Sequence, residues 1–236
     1  MEDIAANIEA IRALIINYEK KYHRAPNSVL LLGASKSQSV AKLQLAYHAG
    51  LINFGESYLQ EALKKIEHLK DLADIVWHFI GPIQSNKTRK IAENFHWVHS
   101  LDDAKIAERL NDQRPSHLPP LNVCIEININ AEDSKHGVSF NHARKLLDLC
   151  KNLSNLKLRG LMCIPKPTDD MSLQRENFKK LTDFKETLSQ EGIVLDTLSM
   201  GMSQDFEAAI AEGSTLVRIG TGIFGKRSII AQSRIF

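Results

Sequence analysis

Short apolar runs alternate with longer amphipathic ones along almost the whole chain, and this alternation restricts the fold more than any other feature. Eight runs have the length and branched or aromatic content of buried strands, at 29–35, 51–55, 75–81, 96–100, 121–128, 156–164, 195–201 and 215–220. Seven helical patterns separate them, near 40–49, 57–71, 84–94, 102–112, 139–152, 171–191 and 203–212. Strands that alternate with helices pair in parallel through right-handed crossovers. Eight such units are the count of a compact α/β fold, the (β/α)8 or TIM barrel. A doubly wound open sheet shares the alternation, and the count does not separate the two.

An amphipathic segment precedes the first strand. Ile4, Ile8, Ile11, Leu14, Ile15 and Tyr18 recur at helical spacing. A leading helix there would fill the outer-ring place left empty after the eighth strand. No linker rich in Pro, Gly or Ser is long enough to divide two domains. The most loop-like stretch, QRPSHLPPLN at 113–122, reads as a connection into the fifth strand. Residues 1–236 are therefore expected to form one domain.

A chain of 236 residues can bury a core without disulfides or structural metal. Cys124, Cys150 and Cys163 are widely spaced and form no CxxC pair; Cys124 and Cys163 sit in apolar runs, as small core residues do. The net charge of +2 and a pI near 8.4 are too weak a bias to indicate nucleic acid or an acidic membrane surface. The opening MEDIAANIEA is acidic and amphipathic, unlike a secretory leader. No apolar run approaches the roughly 20 residues that span a bilayer. A cytoplasmic protein is expected, with neither nucleic-acid nor membrane partners.

In a parallel barrel, functional groups cluster where the strands end. The first strand ends in Ala34-Ser35-Lys36, the second in Asn53-Phe54-Gly55-Glu56, and the third in His78-Phe79-Ile80-Gly81. The sixth strand supplies Met162 and the seventh Ser199-Met200-Gly201-Met202-Ser203. The eighth closes with Arg218-Ile219-Gly220-Thr221-Gly222. Glycine N–H groups and hydroxyls suit a phosphate, and the loops after strands seven and eight are its usual place in such barrels. Partial desolvation at an apolar mouth favours the neutral, nucleophilic amine of Lys36. A lysine beside a phosphate pocket suits a carbonyl phosphate, either pyridoxal phosphate or a phosphorylated sugar in an aldolase. Spacing does not choose between them.

Other motifs carry less. GTGIFG at 220–225 follows a strand and matches GxGxxG, but no acidic residue follows, and the remaining chain is too short for a second strand of a βαβ unit. His96 and His99 sit at i and i+3 on a strand, on opposite faces, which argues against a shared metal ion. The cluster Lys87-Thr88-Arg89-Lys90 opens a helix and reads as a solvated face.

Five motifs in order, LLGASKS, NFGESYLQE, HFIGPIQSNK, LSMGMSQDFEAAI and VRIGTGIFGKR, resemble the pyridoxal phosphate homeostasis family, also called the proline synthetase co-transcribed family. The resemblance runs from about residue 29 to 227. It implies a single barrel of the alanine racemase N-terminal-domain type. By the same resemblance, Lys36 forms an internal aldimine with pyridoxal 5′-phosphate, while Ser199, Gly220 and Thr221 hold the phosphate. Arg218 lines the cofactor near its ring nitrogen or phosphate, and Asn53, His78 and Met162 match pocket positions. An arginine facing the ring nitrogen would keep it unprotonated and weaken the electron sink, which suits storage better than carbanion chemistry. Two departures, Ser57 for the family's usual Asn and Gly33-Ala34 for its usual Ala-Val, lie near the expected mouth of the pocket.

The resemblance implies a binding protein that buffers the cofactor and hands it on to apoenzymes or salvage enzymes. The alternative is a racemase or related amino-acid enzyme with the same cofactor. Racemization in the alanine racemase architecture takes its second base from a C-terminal domain of the partner subunit. With the chain ending soon after its eighth strand, that domain is expected to be missing.

Overall fold

In the computed structural model, which describes residues 3–130 and 136–225, eight parallel strands close into a barrel in sequence order. They are β1 (Leu30–Ala34), β2 (Asn53–Glu56), β3 (Val76–Phe79), β4 (Trp97–Leu101), β5 (Leu121–Ile127), β6 (Leu156–Cys163), β7 (Thr197–Ser199) and β8 (Leu216–Ile219). Pairing of β1 with β8, from Leu30 opposite Leu216 to Gly33 opposite Ile219, closes the ring and excludes the open sheet. All eight expected strands are present, most of them shorter than their apolar runs. β7 is the clearest case, three residues from a run of seven, because Gly201 at φ +96° turns the chain away.

The outer ring consists of α2 (Val40–His48), α3 (Leu59–His68), α4 (Thr88–Asn94, entered by a 3-10 turn at Ser85–Lys87), α5 (Ala104–Gln113), α6 (Phe140–Cys150), α7 (Met171–Gln190) and α8 (Phe206–Ala211). The leading helix α1 (Ile4–Lys21) starts where the Asp3 carboxylate accepts the Ala6 N–H. It buries Ile4, Ile8, Ile11 and Ile15, whereas Leu14 faces outward, so its apolar stripe is narrower than the spacing suggests. α1 packs against α2 and α8, filling the gap in the ring. Arg12 fastens it there by donating to the carbonyls of Ala49 and Gly50 at 3.1 and 2.7 Å. A further short helix, α9 (Thr221–Phe224), follows β8 and lies against α1.

Strand residues alternate between two environments. Leu31, Phe54, Trp77, Val98, Val123, Leu161, Leu198 and Val217 join the apolar layer under the helices. Between them Leu32, His78, His99, Cys124, Met162, Ser199 and Arg218 are also buried and fill the barrel interior. β6 and β7 approach so closely that a Cβ on Gly160 would lie 1.8 Å from the Thr197 carbonyl oxygen. All three cysteines are buried and unpaired; burial pushes each thiol up to about 12, which makes them packing residues. Among the described residues no helix is long and apolar enough to cross a membrane.

Candidate functional site

Where the strands end, a cavity of about 340 Å³ opens among the loops that follow β1, β3, β6, β7 and β8. Ala34 and Lys36 line it from the end of β1, beside Arg218, Gly220 and Thr221 from β8 and Met202, Ser203 and Asp205 from the loop after β7. Ile80, Ile164, Pro165 and Pro167 give it an apolar rim. The alternation along β1 explains the lysine: Ala34 faces inward, Ser35 faces the helix layer, and Lys36 returns to the cavity.

The turn that carries Lys36 is tightly held. The Ser35 N–H donates to Gly55 O at 2.9 Å, and Gln38 N–H closes the turn onto Ser35 O at 3.0 Å. Ser37 takes the left-handed conformation, φ +63°, with its N–H on the Glu61 carboxylate at 2.7 Å.

On the loops after β7 and β8, hydroxyl and amide groups converge. The Thr221 hydroxyl donates to Ser203 Oγ at 3.2 Å, and Gly222 N–H reaches the same oxygen at 3.3 Å. Asp205 sits at the edge of this cradle and accepts the Met202 N–H at 2.6 Å. Burial raises its carboxyl above the ordinary range, and the Met202 N–H offsets part of that rise.

Beneath the cavity, polar side chains cross the barrel interior in one connected chain. Arg218 Nη1 donates to the Ser199 carbonyl and to Ser199 Oγ, both at 2.6 Å, and Nη2 donates to Cys163 O at 2.9 Å. Guanidinium only donates, so Ser199 Oγ accepts from Arg218, and it also meets His99 Nδ1 at 2.8 Å. His99 Nε2 then donates to His78 Nδ1 at 2.9 Å, and His78 Nε2 donates to Asn53 Oδ1 at 3.1 Å. The Asn53 amide oxygen only accepts, so with neutral rings the chain read from that end takes both imidazoles as Nε2–H tautomers and the Ser199 hydroxyl as donor to His99 Nδ1. Burial holds His78 down at about 3 and His99 well below the ordinary value. Glu126 on β5 is pushed the other way, up to about 7, mainly by burial and then by the nearby Asp102, with Arg218 opposing.

Four of the eight residues singled out in the sequence, Lys36, Arg218, Gly220 and Thr221, line the cavity together. Ser199, His78 and Met162 are buried below it in the barrel interior, and Asn53, half-buried at the far end of the chain, lines a second cavity beneath α1. Ser199 is fully buried, and its hydroxyl is taken up by Arg218 and His99, while Ser203 occupies the cavity wall. Ser203 was visible among the polar residues of the seventh strand end, but only the early turn at Gly201 decides which serine reaches the cavity. His99 was weighed only as a metal ligand; its place in the chain below Arg218 had no signal in the sequence. His96 accepts the Trp77 N–H at 3.0 Å outside that chain, and among the described residues no His, Cys, Asp and Glu cluster could hold a metal ion.

The family described as "Alanine racemase, N-terminal domain" matches residues 3–228. A pyridoxal phosphate homeostasis protein of Pseudomonas aeruginosa is 52% identical over 227 residues, which cover 96% of this chain and 97% of that protein. Another protein of that name, from Escherichia coli, is 46% identical, covering 96% and 98%. The chain belongs to the pyridoxal phosphate homeostasis protein family. Among solved structures, PipY of Synechococcus elongatus with pyridoxal phosphate bound superposes with a TM-score of 0.83 at 34% identity, covering 94% of this chain and all of that one.

One of the two departures from the family pattern is explained by the fold. Gly33 faces the helix layer, where a Cβ would come within 2.6 Å of Leu51 Cδ2, so only Ala34 of that pair meets the cavity. Ser57 backs onto the loop after β3, where a Cβ on Gly81 would lie 2.4 Å from the Ser57 carbonyl oxygen.

Proposed function

We propose that this chain binds pyridoxal 5′-phosphate in the cavity at the strand ends and takes part in its homeostasis, as a reservoir that takes the cofactor up and hands it on. The observation that carries this is the placing of one lysine and one hydroxyl-and-amide cradle around a single cavity. The donor chemistry fits: Ser203, Thr221 and Gly222 N–H suit a phosphate dianion, and Arg218 adds a permanent positive charge. Lys36 Nζ would condense with the aldehyde carbon, forming a carbon–nitrogen double bond and releasing water. When bound, the cofactor would supply an electrophilic aldehyde carbon and an electron-withdrawing ring.

Ser203 takes the phosphate role here rather than Ser199, whose hydroxyl serves Arg218 and His99 instead. Arg218 is pinned by three bonds to the β6 and β7 backbone and Ser199, so it presents a fixed charge to the ligand.

A non-catalytic role fits the cavity better than racemization. A racemase needs two bases facing one carbon, and among the described residues the ionisable ones of the wall besides Lys36 are Arg218 and Asp205. Arg218 remains protonated, and Asp205 is engaged by the Met202 N–H. Apoenzymes that use this cofactor, or enzymes that salvage it, are the corresponding partners, and a cytoplasmic location agrees with that role. The test is to load the protein, desalt it, and assay it with alanine and other amino acids and with a cofactor-free aminotransferase. Retention without turnover, followed by activation of the aminotransferase, is expected. Racemization at enzymatic rates would overturn the carrier reading.

A further inference from the structure

Outside the cavity wall, one buried side-chain cluster has no role in ligand contact and is costly to build. Lys65 of α3 is 3% exposed, and its ammonium has three donors. All three are used: Ser35 O at 2.7 Å, Glu56 Oε1 at 2.7 Å and Glu61 Oε1 at 2.5 Å. Glu56 is fully buried, accepts the Ser35 hydroxyl at 2.5 Å, and has its second oxygen without a partner. A buried ion group of this kind is often no more stable than an apolar replacement of the same shape. Its position suggests what else it does.

The two chain neighbours of Lys36 are both tied to it. Ser35 is held through its carbonyl by Lys65 and through its hydroxyl by Glu56. Ser37 is held through its N–H by Glu61, in a left-handed conformation that non-glycine residues seldom adopt. Lys65 joins the two carboxylates, so the clamp on one side of Lys36 is mechanically continuous with the clamp on the other. Cluster residues come from the end of β2 and from successive turns of α3, both rigid elements, whereas the turn itself has only a short backbone link.

We propose that Glu61, Lys65 and Glu56 are positioning residues that set the conformation of the Lys36 turn, and thereby the covalent attachment of the cofactor rather than its reversible docking. This rests on the cofactor reading above. A clamp on the turn should matter for a bond made by Lys36 and be nearly silent for the phosphate cradle, which the loops after β7 and β8 build and no cluster residue touches.

The test is a double-mutant cycle on Glu61, chosen because it is partly exposed and the least burdensome of the three to change. Pyridoxal phosphate binding is measured by titration, and covalent attachment by borohydride reduction and intact mass. Glu61→Ala should lower the trapped fraction at sub-saturating cofactor by about fivefold or more, the scale of one lost charge-assisted hydrogen bond. In a Lys36→Ala background, where only docking is possible, Glu61→Ala should change affinity less than twofold. Glu61→Gln keeps an acceptor for the Ser37 N–H and should return attachment to within about twofold of the parent.

Unchanged trapping in Glu61→Ala, an equal loss with and without Lys36, or a Gln variant as weak as the Ala variant would each overturn the proposal. Failure of the parent itself to trap cofactor at Lys36 would instead refute the cofactor reading, so the two are distinguishable.

Discussion

Two serines four residues apart show how much a single turn decides. Ser199 ends β7 pointing into the barrel, and Ser203 follows the turn at Gly201 onto the cavity wall. Their alanine variants should therefore behave in opposite ways. Ser199→Ala leaves His99 Nδ1 without its donor and removes an acceptor from Arg218, at a cost of about 1–3 kcal/mol in urea unfolding. Ser203→Ala should shift stability by less than about 0.5 kcal/mol yet weaken pyridoxal phosphate binding several-fold, and pyridoxal binding hardly at all. Lys36 was legible in the sequence because strand ends are where barrels place chemistry. The choice between the serines was not, because nothing in the apolar run at 195–201 marks the left-handed turn at Gly201 that redirects the chain.

At the scale of elements, α9 controls one wall of the site. Gly220 and Thr221 open it, and its far end is fastened from two directions. Asn7 Nδ2 donates to Ile223 O at 3.0 Å, and Lys42 Nζ donates to Phe224 O at 2.7 Å. α1 thus does more than fill the outer ring, since one of its side chains holds the helix that carries part of the proposed phosphate cradle. Asn7→Ala should weaken retention of pyridoxal phosphate several-fold on desalting while leaving pyridoxal binding nearly unchanged. Equal loss of both ligands would show that Asn7 acts through general stability. The leading helix was readable from its repeated isoleucines. α9 was not, because four residues are barely one turn and carry no periodicity; its segment was weighed only as a dinucleotide motif.

For the whole molecule, the buried titratable groups set a pH profile. His78 and His99 are neutral when folded, so each takes up a proton on unfolding below about pH 6.5. Their contribution is complete above that value and is lost as pH falls, at about 1.4 kcal/mol per unit for each histidine. Glu126 works in the opposite direction. Raised from 4.5 to about 7, it is protonated when folded and ionised when unfolded, so its contribution is complete below about pH 4.5 and lost as pH rises to 7. Between these values two histidine protons oppose one from Glu126. Glu126→Gln should therefore steepen the loss of stability on acidification between pH 6.5 and 4.5 by about 1.4 kcal/mol per unit, as measured by urea titration. A profile parallel to that of the parent would show that Glu126 ionises normally in the folded chain.

Alternation of strands and helices made the barrel legible at this scale, while closure depended on β1 meeting β8, which no local pattern encodes. The chain from Arg218 to Asn53 was equally hidden, because its members come from four strands and meet only once the ring is closed.

The account turns on Lys36 as the point of covalent attachment. The measurement that tests it most directly is borohydride reduction of the protein loaded with pyridoxal phosphate, followed by peptide mapping, beside Lys36→Ala. A yellow protein whose colour is lost on reduction, with the pyridoxyl group on Lys36 and little incorporation into the variant, is the predicted result. Label spread over surface lysines, or equal incorporation without Lys36, would contradict it.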